Sequence, residues 1–460
     1  MSGSLRNFDR TALRASFRTV NWNPSGKVTD VVGILVEAHL PGARLGTVVN
    51  ILVKGQQDVL AEVVGFKDDK VLLLPYGNLD GISPGCAVTG KRTVDRLPVG
   101  DFLLGKVIDP LMNCLTGKLE IPERAATVPL DRDAPNPMMR ERIAHPLCLG
   151  VRAIDALLTF GEGQRVGVMA SAGVGKSVLM GMIARGSSAD INVIGLIGER
   201  GREVKEFLER DLGPEGLARS VVVCVTGDQS PLMRVRAAKA VVAIAEAFSA
   251  RGKSVLVMMD SLTRVAMAQR EIGLARGEPP TTRGYTPSVF SLLPRLLERC
   301  GPQPAGHGSI SGLFTVLAEG AEVRDDPIAE AARSILDGHI ILSRDLANKG
   351  HFPAIDVPES VSRVMTDIVT KEHADMAMMI RAMLGAHKEA RDLLDIGAYQ
   401  AGSNATIDAA IALMPYMEAF LKQGIAERTT FEKALEGMQG IFKGGARDMQ
   451  ARDKQGAQGR

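Results

Sequence analysis

The sequence predicts a multidomain protein: an N-terminal β-barrel, a central α/β domain on a mostly parallel sheet, and a C-terminal helical domain. Three textures along the chain carry that expectation. Residues 26–95 hold short β-rich runs broken by turn signals, the pattern of a small barrel. Over 96–365 apolar strands alternate with helical stripes, as a parallel sheet covered by helices requires. Over 366–442 the spacing is helical and no strand signal remains.

Taken in order, residues 1–25 form an amphipathic arm. Arg6, Arg10, Arg14 and Arg18 recur at a spacing of four, with Leu5, Phe8, Leu13 and Phe17 between them. As a helix, that arm suits an anionic membrane surface or a partner protein; as a terminus, it suits a frayed, solvated tail. Pro24 and Gly26 then break the pattern. Barrel strands are expected at 31–37, 47–53, 59–66 and 71–75. Sheet strands are expected at 166–170, 192–198, 221–225, 254–259, 312–318 and 339–343. Between the third and fourth of these, Val235, Ala238, Val242, Ala245 and Phe248 make a helical stripe that Gly252 ends. Met376, Met379 and Met383 read as core packing of the helical domain. The Gly-, Gln- and charge-rich tail, 443–460, is expected to be disordered.

Composition narrows the function classes. The formal net charge of the 460 residues is +2, which lacks the basic footprint of a nucleic-acid binder. The five cysteines are scattered, without a CxxC pair, which argues against a zinc site or disulfide framework and fits a reducing cytoplasm. No apolar run approaches the ~20 residues of a membrane span.

The chemistry centres on residues 165–185, RVGVMASAGVGKSVLMGMIAR. An apolar strand leads into a loop of small residues, then Lys176-Ser177, then a helical stripe. Such a loop binds the phosphates of a nucleoside triphosphate. Gly173 and Gly175 let backbone N–H groups of the loop, including those of Val174 and Val178, turn onto phosphate oxygens at a helix N-terminus. Lys176 reaches the β/γ-phosphates and the Ser177 hydroxyl holds Mg²⁺. The strict pattern begins with Gly, where this chain has Ala170.

Two strand ends supply carboxylates. The run 254–259 ends in Asp260, placed for a second Mg²⁺-organising group acting through a coordinated water. The run 193–197 ends in Gly198-Glu199-Arg200, where Glu199 can align a water for in-line attack and Arg200 can contact phosphate. Taken alone, a Glu-Arg pair is most often a surface ion pair.

With these residues in place, the chain resembles the secretion-associated branch of the rotary ATPase α/β family. The resemblance rests on GERGREV (198–204), DSLTR (260–264), the long run AMAQREIGLARGEPPTTRGYTPSVF (266–290), and PAID (353–356) followed by Ser360 and Ser362. It covers about 26–442 in uninterrupted order. QSPLM (229–233) and PYMEAFLKQGIAER (415–428) lean towards flagellum-specific export ATPases over injectisome ATPases. Ala170 is usual in the export branch.

The resemblance implies a RecA-like central domain, ATP and Mg²⁺ as cofactors, and a role for each matching residue. Glu199 matches the catalytic glutamate, Arg200 its neighbouring phosphate contact, and Asp260 the acidic strand end. Phe352 falls where the family often has an adenine-stacking tyrosine, and Arg363 matches the arginine finger given to the neighbouring subunit. A chain holding both Glu199 and Arg363 implies a homohexamer with shared sites. Implied partners are a coiled-coil stalk in the central channel, facing the loop 276–288, and a stator-type negative regulator at the N-terminal arm. The export gate, export chaperone–substrate complexes and a peripheral contact with the inner-membrane export apparatus complete the set, in the cytoplasm. A rotary synthase subunit, or an RNA-translocating hexamer, is the competing expectation; residues 26–95 lack the basic and aromatic clusters for stacking bases.

Overall fold

The computed structural model describes residues 24–91, 96–317 and 326–458, the side chains of residues 91 and 445–458 excepted. Nearly all of the expected N-terminal arm therefore lies outside the described residues. The chain divides into two compact units, Met1–Asp95 and Arg96–Arg460.

The first unit is a closed barrel of six antiparallel strands: β1 (Ser25–Val32), β2 (Leu35–His39), β3 (Val48–Leu52), β4 (Val59–Lys67), β5 (Lys70–Pro75) and β6 (Ala87–Lys91). They run around the barrel in the order β1-β2-β5-β4-β3-β6, and β6 pairs back to β1. Alternation along the strands puts Val36, Ala38, Val49, Ile51, Ala61, Val63, Leu73 and Val88 into the interior. The expected single strand at 31–37 is in fact a hairpin. Val32 pairs with Leu35, and Gly33 turns between them at φ +59°, a conformation that costs an L residue with a Cβ. The stretch around Gly26, expected to be a break, is paired strand, because a residue without a side chain lets its backbone approach His39 closely.

In the second unit, β7 (Arg96–Val99) pairs with β9 (Ala126–Pro129) as a small separate sheet. The main sheet has eight strands: β8 (Lys106–Ile108), β10 (Arg165–Ala170), β11 (Ile191–Glu199), β12 (Ser220–Thr226), β13 (Val255–Asp260), β14 (Ile310–Leu317), β15 (Gly338–Ile341) and β16 (Val361–Ser362). Their order is β16-β15-β10-β14-β13-β11-β12-β8, parallel except for β16. All six strands expected from the sequence are present. The two that the sequence pattern does not reveal, β8 and β16, have three and two residues and sit at the edges.

The helices that matter for the site are α1 (Arg152–Leu157), α2 (Lys176–Gly186), α3 (Gly201–Glu206), α4 (Pro231–Ser249), α5 (Leu262–Ala275), α6 (Pro287–Leu297) and α7 (Pro327–Ile335). The expected stripe of α4 is buried, and Val241 and Ile244 off that stripe are buried as well. Three long helices follow: α8 (Lys371–Asp395), α9 (Ala405–Leu421) and α10 (Phe431–Gln458). Their Ala377, Ile380, Met417, Phe420 and Met438 join one hydrophobic cluster with Val166 of β10 and Leu179 of α2. The helical region thus shares a core with the sheet instead of closing on its own.

Two expectations change here. Met383 is buried, but Met379 is 54% exposed, so the methionine stripe is only partly core. Its residues step around α8, and the face turned to α1 and α9 runs through Ala377, Ile380 and Met383. The tail expected to be disordered from 443 is helical through Gln458. The stretch continues a helix already packed through Ala434, Met438 and Ile441, and its Ala, Arg, Met, Gln and Lys residues favour helix despite Gly444, Gly445 and Gly456.

Candidate active site

In a parallel sheet the strand carboxyl ends share one edge, so the loops there converge. The chain leaves β10 through a loop of small residues and enters α2 at Gly175, which caps the helix at φ +87°. Gly173 also has positive φ, at +81°, and a side chain there would meet open space. Both torsions favour glycine, and together they turn N–H groups inward over the first turn of an eleven-residue helix. The Val174 side chain is buried and anchors the loop, so Val174 offers a ligand only its backbone. Val178 is half-buried against the core.

Lys176, in the first turn of α2, reaches across the sheet. Its ammonium pairs with Asp260 Oδ1 at the end of β13 and lies 3.6 Å from Glu199 Oε1 at the end of β11. The sheet order explains the reach: β14 separates β10 from β13, and β11 lies beyond. Asp260 is 5% exposed and also accepts a hydrogen bond from Thr315 Oγ1 at 2.6 Å.

Two carboxylates against one ammonium leave a surplus of negative charge in a buried place. Burial, the charge of Asp260 and contact with Glu203 push the Glu199 pKa up to about 7, against the pull of Lys176. Burial works to lower the Lys176 pKa, but Asp260 and Glu199 overcome it and hold it above the usual lysine value. Glu199 Oε1 is buried and lacks a hydrogen-bond donor. The Lys176 ammonium at 3.6 Å is a loose ion-pair partner, which leaves this oxygen able to take a water.

Ser177 follows Lys176 in the same turn, half-buried, at the mouth of the loop. Among the described residues no group of three or more His, Cys, Asp or Glu is gathered at metal-binding range. Mg²⁺ takes only one or two carboxylates and completes its shell with water and phosphate, so Ser177, Asp260 and the surplus charge fit that ion.

Phe352 is 45% exposed, and its ring stands over Gly175: a Cβ built there would lie 3.5 Å from the ring edge. Its carbonyl accepts a hydrogen bond from Gln423 N at 2.9 Å. Gln423 is itself buried; its amide donates to the Gly150 carbonyl and accepts from Arg152 N. The helical region thereby fixes the loop that carries Phe352.

Within one chain the structure brings together Lys176, Glu199 and Asp260, with Ser177, Gly173, Gly175 and Phe352 around them. Arg200 and Arg363 do not join them. The Arg200 side chain is 88% exposed and 3.9 Å from Glu203. Arg363 is exposed just past β16; its guanidinium donates to the Arg333 carbonyl at the end of α7, at 3.2 Å. Sequence reasoning missed Thr315 and Gln423. A threonine inside the apolar run of β14 was the available signal for the first.

Comparison with known proteins follows the same three parts. The beta-barrel domain of the ATP synthase alpha/beta family matches 28–91, that family's nucleotide-binding domain matches 150–362, and the T3SS EscN ATPase C-terminal domain matches 369–440. The flagellum-specific ATP synthase of Bacillus subtilis is 51% identical over 419 residues, 91% of this chain and 95% of that protein. The type 3 secretion system ATPase of Xanthomonas euvesicatoria is 50% identical over 412 residues, 89% and 92% of the two chains. The assembled ATPase EscN of enteropathogenic E. coli superposes with a TM-score of 0.84 at 43% identity, covering 90% of this chain and 99% of that one. EscN in complex with its central stalk EscO gives 0.82 at 42%, with the same coverage. The chain belongs to the ATP synthase α/β family, in its branch of type III export ATPases.

Proposed function

We propose that this chain hydrolyses ATP with Mg²⁺ at the Lys176–Glu199–Asp260 centre, within a homohexameric ring, and that the turnover energises export of flagellar proteins. The observation that carries the hydrolytic reading is Glu199: a strand-end carboxylate, poised near neutral pKa, with a donor-free oxygen 3.6 Å from the loop lysine. It orients the attacking water and takes up its proton. Lys176 exchanges its carboxylate partners for phosphate oxygens when nucleotide enters. Backbone N–H groups at Gly173, Val174, Gly175 and Val178 cradle the phosphates, and Phe352 stacks on adenine. Ser177 and Asp260 would hold Mg²⁺, which would supply positive charge to neutralise the phosphates. Arg200, exposed in the free chain, swings onto phosphate.

Arg363 completes the site of a neighbouring subunit. Its separation from the centre of its own chain supports that reading, and a head-to-tail ring satisfies every such site. A coiled-coil stalk in the channel is the matching partner, as EscN is found with its stalk EscO. A stator-type regulator or membrane surface meets the N-terminal arm, and export chaperone–substrate complexes and the export gate meet the helical end. Among the described residues no helix is long and apolar enough to cross a membrane.

The decisive experiment for hydrolysis is Glu199→Gln. This variant binds ATP as the parent does and releases almost no phosphate; parental turnover would remove Glu199 from the mechanism. A virulence injectisome is the second reading, favoured by the 50% identity to the Xanthomonas protein. Deleting the gene in its own cell separates the two: loss of flagellar filaments supports export of flagellar proteins, and intact filaments with lost effector secretion supports the injectisome.

A further inference from the structure

The central strand β14 carries one polar side chain into the heart of the site. In register, Thr315 lies opposite Val168 of the strand that leads to the phosphate loop, and one step past Phe314, which lies opposite Met259 of β13. It is fully buried. A buried hydroxyl left without a partner destabilises the fold, so its partner matters. Thr315 Oγ1 donates to Asp260 Oδ1 at 2.6 Å, and the Met259 carbonyl at 3.3 Å is a longer alternative.

Asp260 Oδ1 thus has two protein donors, the Thr315 hydroxyl and the Lys176 ammonium, while Oδ2 has none among the described residues. The two donors differ in permanence. Lys176 stands in the first turn of α2 on a long side chain that can turn to phosphate, whereas Thr315 is fixed in a strand paired on both sides.

We infer that Thr315 is a positioning residue for Mg²⁺: it holds Asp260 Oδ1 after Lys176 has moved to the phosphates, and so keeps Oδ2 directed at the metal-bound water. This rests on the proposed role of Asp260. Groups that orient a metal's immediate partners typically change metal affinity by about 10–100-fold when removed.

The test compares Thr315→Val, which keeps the shape and removes the hydroxyl, with Thr315→Ser, which keeps the hydroxyl and removes a methyl group. Two titrations are made: ATPase rate against Mg²⁺ at saturating ATP, and fluorescent ADP binding against Mg²⁺ with EDTA controls. In T315V the Mg²⁺ concentration for half-effect rises by about tenfold in both titrations, while metal-free ADP binding stays at the parental value. T315S lies near the parent. A parental Mg²⁺ requirement in T315V overturns the inference. So does equal impairment of T315V and T315S in metal-free ADP binding, which marks a packing role. If the parent protein does not hydrolyse ATP, the hydrolytic reading fails by itself, and the Mg²⁺ dependence of ADP binding still decides the role of Thr315.

Discussion

Glu199 in the free chain is held near half-protonation at neutral pH, chiefly by burial and then by the charge of Asp260. Only the carboxylate form can accept a proton from water. The pH dependence of kcat/KM reports the free enzyme, so it falls about tenfold per pH unit below about 7 and levels off above it. Stopped-time phosphate release at low ATP from pH 5.5 to 8.5 reads this directly; a flat profile down to pH 5.5 would contradict it. Phe352 allows a second test at this scale. If the ring over Gly175 stacks on adenine as proposed, its loss removes ~1 kcal/mol, so Phe352→Ala raises KM for ATP several-fold with kcat little changed, and Phe352→Tyr leaves both near the parent. Glu199 and Asp260 are legible in the sequence because each is an acid ending an apolar run. Arg363 is legible only through family resemblance, since one exposed arginine carries no pattern of its own. Thr315 shows only as one polar residue inside the apolar run of β14, a weak signal because threonine is common in strands.

Packing between elements sets the rigidity of the phosphate loop. Gly181 on α2 lies against the π-helical turn Phe207–Leu212, where an added Cβ would come within 2.6 Å of the Asp211 carbonyl. Gly181→Ala forces backbone to shift and costs about 1–3 kcal/mol, measured as a lower urea midpoint; a rise from better helix propensity would show that the turn yields. At the opposite end of α2, the buried Asp155 of α1 accepts from Leu149 N and from the Cys148 thiol. Burial pushes its pKa up to about 7. For an acid whose folded pKa is raised, the native state binds the proton more tightly than the unfolded chain. The stability contributed at low pH is therefore eroded as pH rises from about 3.8 to about 7 and is then constant. Glu199 contributes with the same sign between about 4.5 and about 7. Urea midpoints across pH 4.5–8 test this, and the slope shrinks in Asp155→Asn. The six internal strands of the sheet are readable from apolar runs, but β8 and β16 are too short to show periodicity. The Gly33 hairpin is overlooked because two strands and a two-residue turn make one continuous β-rich run.

At the scale of the whole molecule, the proposed division of labour between Glu199 and Arg363 makes activity a property of the assembled ring. The three-part architecture is legible because each part has its own period: alternation in the barrel, strand-helix alternation in the sheet, helical spacing after it. The shared core between the helical region and the sheet is not, since it depends on which face of α8 turns inward. Arg363→Ala removes the charge given to the neighbouring site and lowers kcat by about 10³–10⁵ with ATP affinity little changed. A variant with near-parental turnover at saturating ATP would leave the finger without a role. The most direct test of the shared site follows ATPase activity per chain against protein concentration, with particle size measured on the same samples. Activity per chain climbs in step with the assembled fraction and is almost absent where only monomers remain. Activity per chain that stays constant down to the fully monomeric range would contradict the account.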